Sequence, residues 1–246
     1  MAKQNTSTEE LINLQNISFG YTKDKLILDN LNFKLKLSER IGLIGANGTG
    51  KTTLAFIILG LLTPQQGKVK LFGKICQTEK DFQQIRPKIG FVFQNADDQI
   101  IFPTVLEDVA FGPLNLGLSS EQALHKAENI LKKLGIEHLK HRNIFNLSGG
   151  EKKLVSIAGV LAMSPKVLIL DEPTIGLDEH SRAKLINILT KLDLSYFIIS
   201  HDYDFLARTT QKQYILKNKT IFLDNTIVLH KHEHAHPLGY ITHDHT

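Results

Sequence analysis

Apolar and polar residues alternate most clearly near the N-terminus of the chain. Residues 11–21 and 26–37 change repeatedly between the two classes, and LNFKLKL at 31–37 alternates without interruption. Successive side chains of a strand point to opposite faces, so this pattern is typical of strands with one buried face. It predicts antiparallel strands in the first part of the fold.

Shorter apolar runs follow, and segments with helical spacing separate them. The run ERIGLIG at 39–45 predicts a strand that ends in a glycine-rich loop. A helix is predicted from Lys51 to about Leu61, before Thr63-Pro64. This alternation of strands and helices predicts a largely parallel sheet covered by helices. Further strands are predicted at 68–75, 88–94, 166–172, 196–200, 213–218 and 220–224, and a further helix at 181–192.

Residues 95–164 have a different pattern, which predicts a mostly helical insertion. Ser119 and Gln122 form the S-x-x-Q pattern of a capping box, apolar residues follow at helical spacing, and Gly135 is placed to end this helix. The predicted organisation is a polar N-terminal tail (1–10), one α/β domain (11–229) whose core is 11–94 and 165–229 and whose helical subdomain is 95–164, and a histidine-rich tail (230–246).

The composition excludes several classes of protein. The 246 residues hold 29 Lys+Arg and 25 Asp+Glu, and a net charge of +4 without dense basic blocks does not indicate a nucleic-acid partner. Cys76 is the only cysteine, which excludes a disulfide framework and a cysteine-based zinc site within one chain. The longest apolar run, at 54–62, is much shorter than the roughly 20 residues of a spanning helix, and the first ten residues lack an apolar signal core. We therefore expect the chain not to cross a bilayer by itself.

The segment GANGTGKT at 45–52 fits the pattern G-x-x-x-x-G-K-[ST] of a phosphate-binding loop. It follows a predicted strand and opens a predicted helix, which is the context that this motif requires. Glycines let backbone N–H groups turn toward phosphate oxygens, and the helix N-terminus adds positive potential. We expect Lys51 to reach the β- and γ-phosphates of a nucleotide and the Thr52 hydroxyl to bind Mg²⁺.

Two adjacent acids end the apolar strand VLILDE at 167–172. Because parallel strands end at a common edge of a sheet, Asp171 is expected beside the phosphate loop as a partner of Mg²⁺. Glu172 is one residue further and is predicted to polarise the attacking water as a general base. An acid pair after a strand is common by itself, but together with the phosphate loop it indicates a nucleotide hydrolase.

The segment LSGGE at 147–151 narrows the class of nucleotide hydrolase. It resembles the signature motif of ATP-binding cassette (ABC) ATPases, and the order of motifs is similar to that family from about residue 11 to 224. The resemblance implies an α/β P-loop NTPase (RecA-like) fold, with a mostly parallel sheet core, an N-terminal antiparallel β subdomain and an inserted α-helical subdomain. It also implies that Ser148, Gly149 and Gly150 cap the γ-phosphate held by a second subunit. Two ATP molecules would lie between two head-to-tail chains, either a homodimer or a heterodimer with a paralogous ATPase.

The resemblance also assigns roles to single residues. Tyr21 would stack on adenine, Gln94 stands at the Q-loop glutamine, and His201 would contact the γ-phosphate as the switch histidine. Two departures from the family pattern are Glu151, where glutamine is commoner, and Ile175, where a small polar residue is usual. The full predicted set is Glu172 and His201 (catalytic); Tyr21, Gly45, Asn47, Gly48, Thr49, Gly50, Lys51, Thr52, Thr53 and Gln94 (ATP); Thr52, Gln94 and Asp171 (Mg²⁺); Ser148, Gly149, Gly150 and Glu151 (signature, acting on the second subunit); and Asp178 (D-loop).

The stretch at 93–119 resembles the energy-coupling-factor (ECF) type of ABC transporter, and the variant LSGGEKK resembles its cobalt and nickel branch. This similarity implies an ATP-hydrolysing subunit that joins multi-span membrane subunits at the cytoplasmic face of the cell membrane. Three alternatives remain open. They are an ECF importer of a vitamin, a soluble metal-storage or metal-sensing protein with a regulatory cassette, and an exporter cassette.

Histidines are concentrated in the C-terminal tail HKHEHAHPLGYITHDHT at 230–246. In an extended chain, alternate side chains point to one face about 7 Å apart, and imidazole is a ligand for Ni²⁺ and Co²⁺. The tail is therefore a candidate site for the imported ion, with an affinity that weakens below about pH 6.5. The alternative is a solvated end or a purification tag. The candidate ligands are His230, His232, His234, His236, His243 and His245.

Overall fold

The computed structural model describes residues 9–22 and 24–224 of the chain. These residues form two sheets and a set of helices that cover them. The strands are β1 (Glu10–Phe19), β2 (Leu28–Lys36), β3 (Arg40–Ile44), β4 (Gln66–Leu71), β5 (Lys74–Cys76), β6 (Ile89–Val92), β7 (Val167–Asp171), β8 (Ser195–Ile199), β9 (Lys212–Lys217) and β10 (Thr220–Leu223). The helices are α1 (Lys51–Ile58), α2 (Glu79–Gln83), α3 (Val105–Asn115), α4 (Ser120–Lys133), α5 (Gly149–Ala162), α6 (Glu179–Lys191) and α7 (Tyr203–Thr209).

The first sheet is antiparallel, as the alternating pattern predicts, and its spatial order is β2-β1-β4-β5. In β2, Leu31, Phe33 and Leu35 are buried, whereas Asn32 and Lys34 between them are exposed. One face of this strand therefore packs on the core and the other faces solvent, which fixes its register.

The prediction of a single strand at 68–75 is wrong. This segment is a hairpin in which β4 and β5 pair antiparallel, with Val69 opposite Cys76. Phe72 and Gly73 form the turn with φ values of 48° and 81°, the left-handed conformation of a tight two-residue hairpin turn. Phe72 continues the apolar pattern through the turn, so hydrophobicity alone does not indicate the reversal.

The second sheet has the order β10-β9-β3-β8-β7-β6 and is parallel except for the β10–β9 pair. Every residue of β7 and of β8 is buried, as expected of strands covered on both faces by helices. The predicted parallel sheet is confirmed. Because β8 lies between β3 and β7, the segments that follow these three strands emerge side by side.

The helix after β3 is shorter than predicted. It ends at Ile58 and not near Leu61, because Gly60 takes a left-handed φ of 70° and the Leu61 N–H donates to the Phe56 carbonyl at 2.9 Å. This is a Schellman-type helix end. A Cβ atom on Gly60 would lie 2.2 Å from the Phe82 ring, so packing as well as backbone conformation requires glycine there.

Residues 95–164 hold α3, α4 and α5, which pack on one another. The predicted capping box is confirmed at the start of α4, where Ser119 Oγ accepts the Gln122 N–H and Gln122 Oε1 accepts the Ser119 N–H. Gly135 follows the end of this helix with a φ of 66°, as predicted. A Cβ atom on Gly90 of β6 would lie 2.2 Å from Val160 of α5, so α5 packs closely on the parallel sheet.

Within residues 9–22 and 24–224, no helix is long and apolar enough to cross a membrane. The histidine-rich tail lies outside the described residues, as do residues 225–229 of the predicted domain and residues 1–8 of the N-terminal tail.

Candidate nucleotide site

Three neighbouring strands bring the predicted site residues to one edge of the parallel sheet. The loop 45–50 follows β3, His201 comes two residues after β8, and Asp171 ends β7. Parallel neighbours end at the same edge, so residues that are remote in sequence meet there. Thr52 Oγ1 donates to Asp171 Oδ2 at 2.7 Å, and Lys51 Nζ lies 3.1 Å from His201 Nε2. These contacts join the three segments into one site.

The loop 45–50 ends at a helix N-terminus that carries no side-chain cap. Gly48 and Gly50 have φ values of 78° and 104°, and among the described residues no side chain caps the first turn of α1. The N–H groups of that turn therefore lack a side-chain acceptor, which is the condition for anion binding at a helix N-terminus. A Cβ atom on Gly50 would lie 2.6 Å from Ile27 Cγ2, so the loop conformation requires glycine.

The Lys51 side chain lies inside this loop. Lys51 is 7% exposed, and its Nζ donates to the carbonyls of Gly45 at 2.7 Å and Ala46 at 3.1 Å. Burial lowers the pKa of its ammonium, and the carboxylates of Glu172 and Asp171 act in the opposite direction. A buried ammonium whose acceptors are neutral carbonyls is placed to gain from a nearby anion such as phosphate.

Thr52 and Asp171 provide two adjacent oxygen ligands. Asp171 is 4% exposed and accepts the Thr52 hydroxyl. Burial raises the pKa of the Asp171 carboxyl, and the Thr52 hydrogen bond and the ammonium groups of Lys51 and Lys153 oppose this rise. A hydroxyl and a carboxylate side by side are hard oxygen donors, which Mg²⁺ prefers. The residues present therefore fit a magnesium ion held together with a nucleotide phosphate.

Glu172 is buried with one carboxylate oxygen that lacks a hydrogen bond. Its Oε2 accepts the His201 N–H at 3.1 Å. Its Oε1 has no hydrogen-bond partner within the described part of the chain, although it lies 3.3 Å from His201 Nε2 in poor alignment. The φ of Glu172 is 44°, a left-handed conformation that is uncommon outside glycine and concentrated at functional sites. A buried acceptor without a donor is suited to hold a water molecule.

The His201 ring faces the phosphate loop. Its Nε2 lies 2.8 Å from Asn47 Oδ1 and 3.1 Å from Lys51 Nζ. The same ring approaches the Glu172 carboxylate, so His201 stands between the loop and the acid predicted to activate water. The structure thus brings the predicted catalytic pair together with the predicted phosphate-binding lysine.

Tyr21 lies at the rim of the site. Its ring is 64% exposed, it meets Phe19 edge-on with centroids 5.2 Å apart, and its hydroxyl lies 3.2 Å from Thr53 Oγ1 on α1. An exposed aromatic face next to the phosphate-loop helix is available to stack on a base.

Gln94 is exposed and follows β6, next to the strand that ends in Asp171. The backbone carbonyls of Phe93 and Gln94 accept hydrogen bonds from Lys153 Nζ at 2.9 and 2.6 Å. Lys153, on α5, is 2% exposed and is absent from the set predicted from the sequence. Helical spacing was the available signal, because Lys153 lies three residues after Gly150 and four before Ile157, both of which are buried.

The signature residues lie at the N-terminus of α5. Ser148 and Glu151 form a capping box, in which Ser148 Oγ accepts the Glu151 N–H at 3.3 Å and Glu151 Oε2 accepts the Ser148 N–H at 2.8 Å. Over residues 9–22 and 24–224, no hydrogen bond connects residues 148–151 with the loop 45–50. Within these residues, the signature is therefore not hydrogen-bonded to the phosphate loop of its own chain.

The D-loop aspartate shares a surface with the signature. Asp178 caps α6 by accepting the Ser181 N–H at 2.8 Å, and this bond lowers the pKa of its carboxyl. A Cβ atom on Gly150 would lie 2.2 Å from Ser181 Oγ, so the signature helix packs closely on the start of α6. Ser148, Glu151 and Asp178 line one open cavity of about 340 Å³. Ser148 and Glu151, two of the residues predicted to act on a second subunit, thus lie on one open face, whereas Gly150 is buried behind it.

Arg182 joins α6 to the segment that carries His201, and no sequence motif pointed to it. Its guanidinium donates to both carboxylate oxygens of Asp202 at 2.7 and 2.8 Å and to Asp204 at 2.7 Å. Burial acts to raise the pKa of the Asp202 carboxyl, but hydrogen bonds from Arg182 and from the Phe205 N–H hold it below its usual value. Because Asp202 directly follows His201, this ion pair holds the backbone next to His201 against α6.

Comparison with known proteins decides the family. A profile of the ABC transporter family matches residues 28–175. The chain belongs to the ABC transporter family. A putative ABC transporter ATP-binding protein of Nitratidesulfovibrio vulgaris is 45% identical over 241 residues, which cover 98% of this chain and 88% of the relative. The energy-coupling factor transporter ATP-binding protein EcfA of Methanocaldococcus jannaschii is 40% identical over 220 residues, which cover 88% of this chain and 79% of the relative.

Solved structures of ABC cassettes have the same fold. CbiO1 from Clostridium perfringens, part of the ABC transporter complex CbiONQ, has a TM-score of 0.81 and 34% identity over 87% of this chain and 88% of its own. The dimeric cassette MJ0796 in a post-hydrolysis state with ADP and phosphate has a TM-score of 0.76 and 29% identity, and the match covers 85% of this chain and 96% of the MJ0796 chain. The predicted fold and ATPase class are confirmed. This ABC protein is the ATP-binding subunit of a transporter, and its reaction is ATP hydrolysis.

Replacing Arg182 with methionine should lower the free energy of unfolding by about 2 kcal/mol at pH 7, because a partly buried, bidentate partner of Asp202 is lost. Arg208→Met is the matched control, since its more exposed guanidinium lies 3.9 Å from Asp204 and should contribute less than about 0.5 kcal/mol. The pKa of Asp202 is below its ordinary 3.8, so the Arg182 contribution is complete above about pH 4 and is lost as the pH falls further. Urea unfolding at pH 7 and pH 3 measures both effects, and equal costs for the two variants at pH 7 would contradict this interpretation.

Proposed function

We propose that this ABC cassette powers an ECF-type importer of cobalt or nickel ions. The meeting of the phosphate loop, Glu172 and His201 at one sheet edge is the observation that supports the hydrolytic part. The 40% sequence identity to EcfA and the structural similarity to CbiO1, each over most of the chain, support the ECF type. The variant LSGGEKK and the histidine-rich tail support a metal ion as the substrate. An ECF importer of a vitamin is the alternative and would not need the tail.

In this proposal ATP binds along the loop 45–50. The N–H groups of the loop and the ammonium of Lys51 bind the phosphates, and Thr53 lies on the same helix beside Tyr21, whose exposed ring stacks on adenine. Thr52, Gln94 and Asp171 hold Mg²⁺ together with the phosphates. When bound, Mg²⁺ neutralises negative charge on the phosphate oxygens.

Glu172 and His201 carry the hydrolytic step in this proposal. A water molecule at Glu172 Oε1 attacks the γ-phosphorus, the carboxylate takes the proton of that water, and the bond to ADP breaks. The left-handed backbone of Glu172 and the His201 N–H on its Oε2 keep the other oxygen directed at the site. The His201 ring, next to Lys51 and Asn47, contacts the γ-phosphate and keeps it in line with the water.

Each chain supplies only part of the complete site in this proposal. Ser148 and Glu151 lie on an open face with Asp178, and the exposed Gly149 and the buried Gly150 stand between them at the start of α5. Within the described residues, none of these four is hydrogen-bonded to the phosphate loop of its own chain. A second chain placed head-to-tail brings this face over the ATP of the first. The dimeric state of the MJ0796 cassette supports such an arrangement. The second chain is an identical copy or a paralogous ATPase.

The helical subdomain, residues 95–164, is the proposed contact with multi-span membrane subunits. Ile101 and Phe145 are 65% and 76% exposed, and they lie on adjacent segments because the Ile144 N–H donates to the Pro103 carbonyl at 2.8 Å. Two exposed apolar side chains beside the segment that carries Gln94 suit an apolar helix end of a membrane partner. In this proposal, the contact holds the cassette at the cytoplasmic face of the cell membrane.

Replacing Glu172 with glutamine should reduce ATP turnover at least about 100-fold, because the amide cannot take the proton of the water. ATP should then accumulate unhydrolysed between paired chains, and size-exclusion chromatography with ATP should show a dimer. Glu121→Gln, an exposed acid in the first turn of α4, is the matched control and should behave as the wild type. Continued turnover in Glu172→Gln would reject Glu172 as the base.

The double variant Ile101→Asp/Phe145→Asp should lose its membrane partner, because two carboxylates in an apolar contact would remain unpaired and desolvated. Purification of the tagged chain from native membranes should yield a small multi-span subunit and a substrate-binding membrane protein. Tyr203→Asp, at another exposed aromatic position, should retain both membrane proteins.

Purified with its partners in vesicles, the wild type should drive ATP-dependent uptake of radioactive Co²⁺ or Ni²⁺. Recovery of a large exporter channel would reject the ECF assignment, and uptake of a vitamin alone would reject the metal.

We propose that the tail histidines, which lie outside the described residues, bind Ni²⁺ or Co²⁺. Titration calorimetry of each ion into the full chain and into a version ending at Leu229 should show at least about tenfold weaker binding by the shorter chain. Binding by the full chain should weaken between pH 7.5 and pH 5.5, as the imidazoles gain protons. Equal affinity in the two chains would remove the tail from the proposal.

A further inference from the structure

A buried cation on the signature helix is not used by any role given so far. Lys153 is 2% exposed, and its Nζ donates to the carbonyls of Phe93 at 2.9 Å and Gln94 at 2.6 Å. Both acceptors belong to the segment that follows β6 and carries the Q-loop glutamine. The lysine lies on α5, five residues after Ser148. A single side chain therefore connects the signature helix with the Q-loop backbone.

Burial of this ammonium has a cost that simple packing would avoid. Desolvation disfavours an ionised group, and the acceptors of Lys153 are neutral carbonyls rather than a carboxylate. Burial accordingly lowers the pKa of Lys153 to about 8, against the attraction of Asp171. The neighbouring inward positions of α5 hold Leu154 and Ile157, but an apolar residue at 153 would leave the carbonyls of Phe93 and Gln94 without these hydrogen bonds. The charge and the donors of Lys153 therefore have a use other than filling space.

Two further contacts attach the same segment to the same helix. Gln99 Oε1 accepts the Phe93 N–H at 3.2 Å, and Gln99 Nε2 donates to the Ser156 carbonyl at 2.9 Å. Lys152 Nζ pairs with Asp97 Oδ1 at 2.7 Å. The segment 93–99 is thus held against α5 along its length, with the buried Lys153 at the position nearest Gln94.

We infer that Lys153 is a positioning residue that makes the Q-loop segment and the signature helix one mechanical unit. Gln94 serves the nucleotide site of its own chain, and Ser148 serves that of the partner. A shift of either element would therefore be passed to the other through the Lys153 ammonium. This inference rests on the proposed roles of Gln94 and Ser148.

The test uses three variants of the full chain. Lys153→Met keeps a side chain of similar length but removes the hydrogen-bond donors and the positive charge. Lys153→Arg keeps the donors and the charge. Lys140→Met is the matched control, because Lys140 also lies in the helical subdomain and its Nζ bonds the Glu128 carboxylate. Each is measured by amide hydrogen exchange, by steady-state ATP hydrolysis, and by ATP binding without Mg²⁺.

We expect exchange in residues 93–99 of Lys153→Met to be at least about tenfold faster, because the segment loses its strongest hydrogen bonds to α5. Exchange in α1 should be unchanged. The kcat should fall about tenfold, while ATP binding without Mg²⁺ stays within about twofold, since the phosphate loop is intact. Lys153→Arg should have an exchange rate in residues 93–99 and a kcat close to those of the wild type. Lys140→Met should match the wild type in both quantities.

Three results would overturn the inference. The first is an amide exchange rate in residues 93–99 of Lys153→Met that equals the wild-type rate. The second is an exchange rate in this variant that rises equally in residues 93–99 and in α1. The third is faster exchange in residues 93–99 of this variant together with an unchanged kcat. Gln94→Ala separates this inference from the proposed function. Full turnover in Gln94→Ala would reject the proposed role of Gln94, whereas loss of turnover there with a normal Lys153→Met would reject only the role of Lys153.

Discussion

The parallel pairing of β3, β8 and β7 is the constraint on which the nucleotide site depends. Each of these strands is short and mostly apolar, and all three end at the same edge of the sheet. The loop that follows β3 can therefore meet Asp171 at the end of β7, Glu172 directly after it, and His201 after β8. The hydrogen bond between Thr52, on the helix after β3, and Asp171, at the end of β7, joins segments from the two strands that flank β8. Every residue of β7 and β8 is buried, so this edge is supported by close packing.

Electrostatics makes the same edge receptive to a nucleotide. Burial opposes the charge of Lys51 and the charge of Asp171, so the free protein holds two groups of opposite sign that are both poorly solvated. A phosphate near the lysine and a magnesium ion near the aspartate would each supply the missing counter-charge. At the same edge, the buried Glu172 Oε1 is an acceptor that has no hydrogen bond within the described residues. Three poorly solvated or unpaired groups of the free chain thus have the proposed roles in binding phosphate, Mg²⁺ and water.

The other half of the proposed chemistry lies on a separate face of the chain. Ser148 and Asp178 each cap a helix, and those helices pack closely through Gly150, so the open face is well ordered by local hydrogen bonds. Two links connect this face to the nucleotide edge, namely Lys153 from α5 to the Q-loop and Arg182 from α6 to the segment after His201. In the proposed dimer, binding at this face would therefore reach the segments that carry Gln94 and His201 through Lys153 and Arg182.

The sequence by itself determined the local elements of this protein. The phosphate loop, the acid pair and the signature each depend on a few neighbouring residues, and β2 and α4 follow from period and capping, so they are legible without the fold. The tertiary structure alone decided where the Phe72-Gly73 turn divides a strand and that Lys153 is buried against the Q-loop. It also decided that Arg182 clamps the segment after His201 and that one oxygen of Glu172 lacks a partner within the described residues. These features depend on strand order and on the packing of α5 and α6, which bring together residues far apart along the chain. A local pattern of apolar and polar residues contains no information about such neighbours.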